Sequence, residues 1–406
     1  MKLLICLLLL GQTVPGAQNE PSLTEAELIR RFHDQNVQIR ALRARFPELD
    51  AQARVLGIPP APSVAYNRES AGGTSEDFFL VEQVLPLSRR STFLRRAGEA
   101  GVAAEEARVR QLIHELESDL RQAYCDLQLA EEKRSALSET SKRITEVLRI
   151  VREREQAGES SAFDRIRVER ELADLDSDLL ELEAARSQAR GRIASLASSD
   201  GSIGDFRAAD PLTVPEDLPA LSELVARAVQ VRGDLHAVDE QQRRLELERE
   251  AARRLRYPEP VVTAGMKKTS VAGVADSGPV VSVTVPLPLF GRAKSEERVA
   301  ALAMERNVGE RAALETVITN GVRAAYADAE NRRQLVAEYA RRVQTPGYEL
   351  TRIAEMAYQE GEQRILEVLD AYRTVLHSEL RALELKAAAR KAVLQLERAT
   401  GERILP

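Results

Sequence analysis

The chain has 406 residues, of which 30% are charged and only 4% aromatic, with no tryptophan and a formal net charge of −6. The length allows two domains, yet a chain so poor in large side chains does not build two ordinary globular cores; abundant Ala, Leu, Glu and Arg is the composition of long helices packed through narrow seams. Lysine and arginine are interleaved with aspartate and glutamate, so no basic face is set aside for phosphates and nucleic acid is not expected as a partner.

Residues 1–17 read as a secretory signal peptide. Lys2 precedes an apolar run to Leu10, and the small residues Val14-Pro15-Gly16-Ala17 follow, with cleavage expected near Gly16 or Ala17. Cys6 lies inside that run, behind Ile5, not at its end where a lipidated cysteine belongs. Loss of Cys6 with the signal leaves Cys125 alone, so no intramolecular disulfide is expected and Cys125 reads as a small packed side chain. No other segment approaches the roughly 20 apolar residues of a transmembrane helix, so any entry into a membrane is as a barrel.

The first repeat is assigned to residues 18–200. Ser22-Leu23-Thr24-Glu25 resembles a capping box for one helix reaching about Leu56. Gly57-Ile58-Pro59-Pro60-Ala61-Pro62 stops it, and Ser63–Asn67 and Phe78–Leu85 read as the strands of a hairpin. From about Ser91 to Arg154 nothing breaks a helix. Its apolar positions follow 3-4 spacing: Ile113, Leu116, Leu120, Ala123, Leu127, Ala130, Leu137, Ile144, Leu148 and Val151, interrupted by Arg134 and Ser141. Such a seam calls for a coiled-coil partner. A return helix after a turn at Gly158 supplies one, with Leu172, Leu175, Leu179, Leu182, Ala189, Ile193 and Leu196 on the same spacing.

Residues 201–219 read as an irregular connector, and residues 220–406 repeat the first pattern. A helix is expected over about Leu221–Leu255, then a Pro258-Glu259-Pro260 break, a strand from Val261 and a strand Val281–Val285. A long helix follows from about Arg292, with a turn near Gly361 and a return helix to about Thr400. Val281, Val283 and Val285 share one face and Ser282 and Thr284 the other, the alternation of a barrel strand. Leu85-Pro86-Leu87 answers Leu287-Pro288-Leu289, and Arg121-Gln-Ala-Tyr124 answers Arg323-Ala-Ala-Tyr326. A constant register over these pairs marks a duplication. Tyr124 and Tyr326 read as packing residues of the helix seam.

Four strands do not close a barrel around a lumen, and backbone groups in a bilayer must all be paired. Three chains supply twelve strands, so a homotrimer is expected, its long helices continuing the barrel as a hollow cylinder. No nucleophile elbow, phosphate-binding glycine loop or His/Asp/Ser set is present, so an enzyme is not expected. His33, His114, His236 and His377 are scattered without metal-ligand spacing, and no cofactor or metal site is expected. The competing reading is a periplasmic coiled-coil adaptor or scaffold without a channel.

The two-repeat layout, Val285-Pro286-Leu287-Pro288-Leu289-Phe290-Gly291-Arg292, and the turn from Tyr358 through Gly361, Glu367 and Asp370 to Tyr372 resemble the TolC family of outer-membrane efflux proteins, within it the cation-efflux (CzcC-like) branch. The first repeat's Ala157–Asp164 matches by position. The resemblance implies a mainly α fold with a membrane β-barrel: a trimeric twelve-stranded barrel continued by a periplasmic α-helical barrel. It implies an exit duct of a tripartite efflux system in the outer membrane, extending into the periplasm. Its partners would be outer-membrane lipids, a periplasmic adaptor (membrane-fusion) protein and an inner-membrane pump of the resistance-nodulation-division type, with heavy-metal cations as one cargo. By position, Glu367 and Asp370 would line the aperture, Tyr358 and Asp164 would hold it shut, and Gly158 and Gly361 would mark the tips that meet the adaptor. Gln363 stands where some members have Arg.

Overall fold

The computed structural model describes residues 20–198, 203–360 and 362–404, with backbone alone at 343–348 and 359. The expected signal segment, residues 1–17, lies outside the described residues. In chain order the elements are β1 (Ser22–Leu23), α1 (Glu25–Gln35), α2 (Val37–Val55), β2 (Ser63–Ala71), β3 (Thr74–Val84), α3 (Arg90–Gln156), α4 (Ala162–Ala197), β4 (Arg207–Ala208), α5 (Leu221–Val231), α6 (Gly233–Arg254), β5 (Val261–Val271), β6 (Val274–Thr284), α7 (Arg292–Tyr339), α8 (Thr345–Gln359) and α9 (Ile365–Thr400). Short β1 and β4 apart, each half runs helix pair, β-hairpin, long helix, return helix, as the duplication requires.

The elements depart from the sequence expectations at five places. The strands run past the expected Ser63–Asn67, Phe78–Leu85 and Val281–Val285 at their hairpin ends, leaving only two-residue turns in each hairpin. The capping residue of the first helix is Thr24, not Ser22: its hydroxyl accepts from the Glu27 N–H at 3.2 Å and the Glu27 carboxylate takes the Thr24 N–H at 2.9 Å. Ser22 and Leu23 instead pair in parallel with Arg207 and Ala208, so the connector is not wholly irregular. The helices expected to run unbroken to Leu56 and Leu255 are each interrupted after eleven residues, at Asn36 and Arg232. Both interrupting side chains cap the end of a return helix: Asn36 Nδ2 donates to the Leu196 carbonyl at 2.7 Å, and Arg232 Nη1 to the Ala399 carbonyl at 2.8 Å. Terminal carbonyls of a helix lack intrahelical donors, so these bonds offset the cost of each break. Finally, α7 ends in a π-helical turn, Ala340–Gln344. Pro346 follows and has no N–H for the helical ladder, which accounts for the irregularity.

The chain packs as two compact units, each drawing on both repeats. One comprises the chain up to Asn36, Leu120–Val214 and Leu335–Arg390. Its core joins Leu137, Ile144, Leu148 and Val151 of α3 to Leu175 of α4, as the 3-4 spacing predicts, and to Val168, with Leu172, Leu179 and Leu182 packed against them. The seam is not a two-helix one, because Ala354 and Tyr358 of α8 and Ile365, Val368, Leu369 and Tyr372 of α9 enter the same core. Leu120, Ala123, Leu127 and Ala130 are buried, whereas Ile113 and Leu116 are half-buried. Cys125 is a buried packing residue against Ala387 and Leu212. Tyr124 does more than pack: its buried hydroxyl donates to the Leu23 carbonyl at 2.9 Å and accepts the Asp210 N–H at 3.2 Å, tying β1 and the connector to α3. Burial pushes that hydroxyl far above the usual tyrosine range.

The other unit comprises Val37–Asp119, Pro215–Gln334 and the chain from Lys391. Leu224, Ala228 and Leu235 pack on Ile318, Val322 and Ala329 of α7 and on Ala392, Val393 and Leu396 of α9, with Tyr326 at the margin.

This unit also holds an antiparallel four-stranded sheet in the order β2-β3-β5-β6. The hairpin turns take positive φ at both central residues, Gly72-Gly73 and Ala272-Gly273, which matches the twist of paired strands. Directly paired residues share a face, and the register places Val64, Tyr66, Phe79, Val81, Met266, Val281 and Val283 on one. All seven are exposed. The opposite face carries Asn67, Glu69, Glu76, Glu82, Lys267, Thr269, Asp276, Ser282 and Thr284, with Phe78, Leu80 and Val280 among them. The alternation expected at Val281–Thr284 therefore extends across the middle of the sheet, whereas toward the hairpin turns the same face carries Arg68, Asp77 and Lys268. No helix among the described residues is long and apolar enough to cross a membrane.

Candidate aperture at the helical turns

The turns α3–α4 and α8–α9 are built alike. The N–H groups of Glu159 and Ser160 return to the Arg154 carbonyl at 2.8 and 3.3 Å; those of Glu362 and Gln363 return to the Ala357 carbonyl at 2.8 and 3.1 Å. Gly158 takes φ +78° with open space around it, the left-handed conformation that ends a helix at least cost. The corresponding Gly361 lies outside the described residues.

Asp164 is the third residue of α4 and closes its capping box: its carboxylate accepts the Ser161 hydroxyl at 2.9 Å and lies 3.4 Å from the Ser161 N–H. Asp164 therefore serves first to start a helix. Tyr358 is buried at the end of α8, and its immediate partner is Arg154. The guanidinium lies 4.8 Å from the ring centre, and Nη1 donates to the Tyr358 carbonyl at 3.1 Å. Burial raises the Tyr358 hydroxyl above the usual tyrosine range, Arg154 partly offsets this, and the charge of Asp164 adds to it. The structure thus pairs Tyr358 with Arg154, a residue that sequence reasoning missed, while the Asp164 carboxylate is engaged by Ser161 at the start of α4. Nothing in the local pattern of Arg154 distinguished it from the other arginines of α3.

Glu367 and Asp370 occupy the first turns of α9. Both are exposed and line a groove of about 470 Å³ with Leu350, Ile353, Ala354, Gln363, Leu366 and Ala371. One helical turn separates them, so they share a face. Their position at a helix N-terminus suits negative charge. Among the described residues neither carboxylate is within ion-pair distance of a cation. Neighbouring acids are engaged: Glu171 takes Arg373, with the Nε contact at 2.9 Å, and Glu355 accepts the Tyr372 hydroxyl. Gln363 is exposed in the groove and supplies no charge.

Comparison with known proteins agrees with this architecture. Residues 224–402, within the second repeat, match the family model described as outer membrane efflux protein. No curated protein matches the sequence. Among solved structures, the open-state MtrE outer membrane channel of Neisseria gonorrhoeae aligns with a TM-score of 0.73 at 22% identity, covering 94% of this chain and 89% of that one. A membrane protein from Pseudomonas aeruginosa gives 0.73 at 19% identity over 93% and 92% of the two chains. The outer membrane protein VceC of Vibrio cholerae gives 0.71 at 14% identity over 94% and 97%. The second repeat thus carries the outer membrane efflux protein pattern, and nearly the whole chain shares the fold of these membrane proteins.

Proposed function

We propose that this protein is the outer-membrane exit duct of a tripartite efflux system. The observation that carries the reading is the sheet: four strands with one exposed apolar face, one polar face and two unpaired edges, β2 and β6. Strands of nine to eleven residues match the length a tilted strand needs to cross a bilayer. An open edge has no water to satisfy it inside a membrane. Because β2 and β6 run in opposite directions, β6 of one copy pairs antiparallel with β2 of the next. Three copies then close twelve strands around a polar lumen, apolar side outward.

In this reading the helical turns form the periplasmic aperture. Glu367 and Asp370, repeated by threefold symmetry, make an acidic ring that attracts cations and repels anions. Tyr358, Arg154 and Asp164 hold neighbouring helices together beside it, and the turns at Gly158 and Gly361 meet the periplasmic adaptor that links the duct to an inner-membrane pump. The acidic ring and the likeness to the cation-efflux branch favour metal cations as cargo. The test is fractionation and mass: the protein should sediment with the outer membrane and run in mild detergent at three times the chain mass. Recovery as a water-soluble monomer would contradict the reading and favour a periplasmic adaptor.

A further inference from the structure

The starts of β2 and β5 and the ends of β3 and β6 lie at the same end of the sheet. Three segments that enter or leave it there, residues 86–98, 253–260 and 285–298, hold ten Lys/Arg against three Asp/Glu, in a chain of net charge −6. The opposite end, residues 68–77 and 267–276, holds three against four. Exposed Leu87, Leu287, Leu289 and Phe290 accompany the basic end.

A cavity of about 230 Å³ sits within this collar, its lining including Ser88, Arg90, Arg254, Tyr257, Glu259 and Leu287. The Arg254 guanidinium is stacked 5.1 Å from the Phe93 ring centre and 5.8 Å from that of Tyr257. Among the described residues it joins no ion pair. For Arg90 the carboxylate in ion-pair range is Glu296, at 3.7 Å, and its Nε is buried without a hydrogen-bond partner. The one carboxylate in the cavity, Glu259, accepts the Ser88 hydroxyl. Two arginines are therefore held with unused donors, one oriented by aromatic stacking, at the apolar margin of the sheet.

We propose that this cavity seats the phosphate of an anionic phospholipid from the periplasmic leaflet, with its acyl chains along Leu287, Leu289 and Phe290. The inference rests on the outer-membrane reading. A guanidinium fork matches two phosphate oxygens, and stacking leaves its edge free to do so. The apolar rim continues into the apolar face of the sheet, which favours a lipid over a free anion. The excess of basic residues lies at the helix-bearing end, which in this reading faces the periplasm, so the phosphates of the inner leaflet are the ones within reach.

The test is native mass spectrometry of the detergent-solubilised protein titrated with phosphatidylglycerol or phosphatidylcholine. Phosphatidylglycerol should be retained at lower concentration than phosphatidylcholine. Arg90→Gln with Arg254→Gln should weaken that retention about tenfold, the scale of losing one charge-assisted contact. Arg243→Gln, on exposed α6 surface, should leave it unchanged. Glu259→Gln, which removes the opposing charge, should strengthen it and keeps the proposal testable if the double variant misfolds. Equal retention of the two lipids, or indifference to both Arg90/Arg254 and Glu259 changes, would overturn the proposal. Displacement of the lipid by millimolar inorganic phosphate would also overturn it, making this a free-anion site. A conducting trimer without lipid preference removes this inference alone, whereas a soluble monomer removes the duct reading too.

Discussion

Glu367 and Asp370 stand out by position: like several other acids among the described residues they lack an ion-pair partner, but they lie together on an exposed groove at the start of α9, beside the turn. An exposed carboxylate pair costs little in isolation, but six carboxylates converging on a threefold axis repel one another unless cations occupy the ring. Multivalent cations should therefore bind there and block current from the periplasmic side. Glu367→Ala with Asp370→Ala should relieve the block and lower cation selectivity in bilayer recordings; retention of both would place the constriction elsewhere. The neighbouring contact makes a different demand. Tyr358→Phe removes a hydroxyl and keeps the ring against Arg154, so a loss of about 1 kcal/mol is expected, with a modest rise in resting conductance. Arg154→Ala removes the carbonyl bond and the ring contact together and should raise resting conductance further, with ion selectivity unchanged in both. Equal conductance in the two variants would remove Arg154 from the lock. Glu367 and Asp370 come from the resemblance to the TolC family, by position after the turn near Gly361; their exposure on one face of α9 fits that placement, and their role in an aperture is the proposal. Arg154 was not legible in the sequence, since its role depends on α8 arriving beside α3, a tertiary fact absent from local spacing.

At the scale of elements, periodicity carried most of the information. The 3-4 spacing gave the buried positions Leu120 to Val151 of α3 and Leu175, Ala189 and Ile193 of α4, because a helix face is set by residue interval alone. It did not include Val168, which is buried, and Leu172, Leu179, Leu182 and Leu196 are half-buried. The breaks at Asn36 and Arg232 escaped because apolar periodicity runs through them; what interrupts each helix is a bond to the end of a return helix distant in sequence. The connector escaped likewise, since β4 is ordered by pairing with β1 and by Tyr124. Leu127, fully buried, tests the seam. Leu127→Asp would place a carboxylate among apolar side chains at a cost of several kcal/mol, so the variant should melt at lower temperature or lose its assembly. An unchanged melting temperature by circular dichroism would show that the α3 face points elsewhere.

At the scale of the whole molecule, duplication and the strand deficit together decide the account. Each half contributes one hairpin, and two hairpins leave a sheet with an apolar face in contact with water and two edges without partners. The proposed trimer would resolve both at once; what was legible in the sequence is the count of four strands that calls for it. The sharing of both repeats within each compact unit was not, because repeats record ancestry and packing records contact. Single-channel recording of the purified protein in a planar bilayer separates a duct from a soluble scaffold. Trimeric protein should give stable, ohmic, cation-preferring conductance, reduced by multivalent cations added on the periplasmic side. Protein that inserts no conducting units, and remains monomeric in water without detergent, would contradict the duct reading.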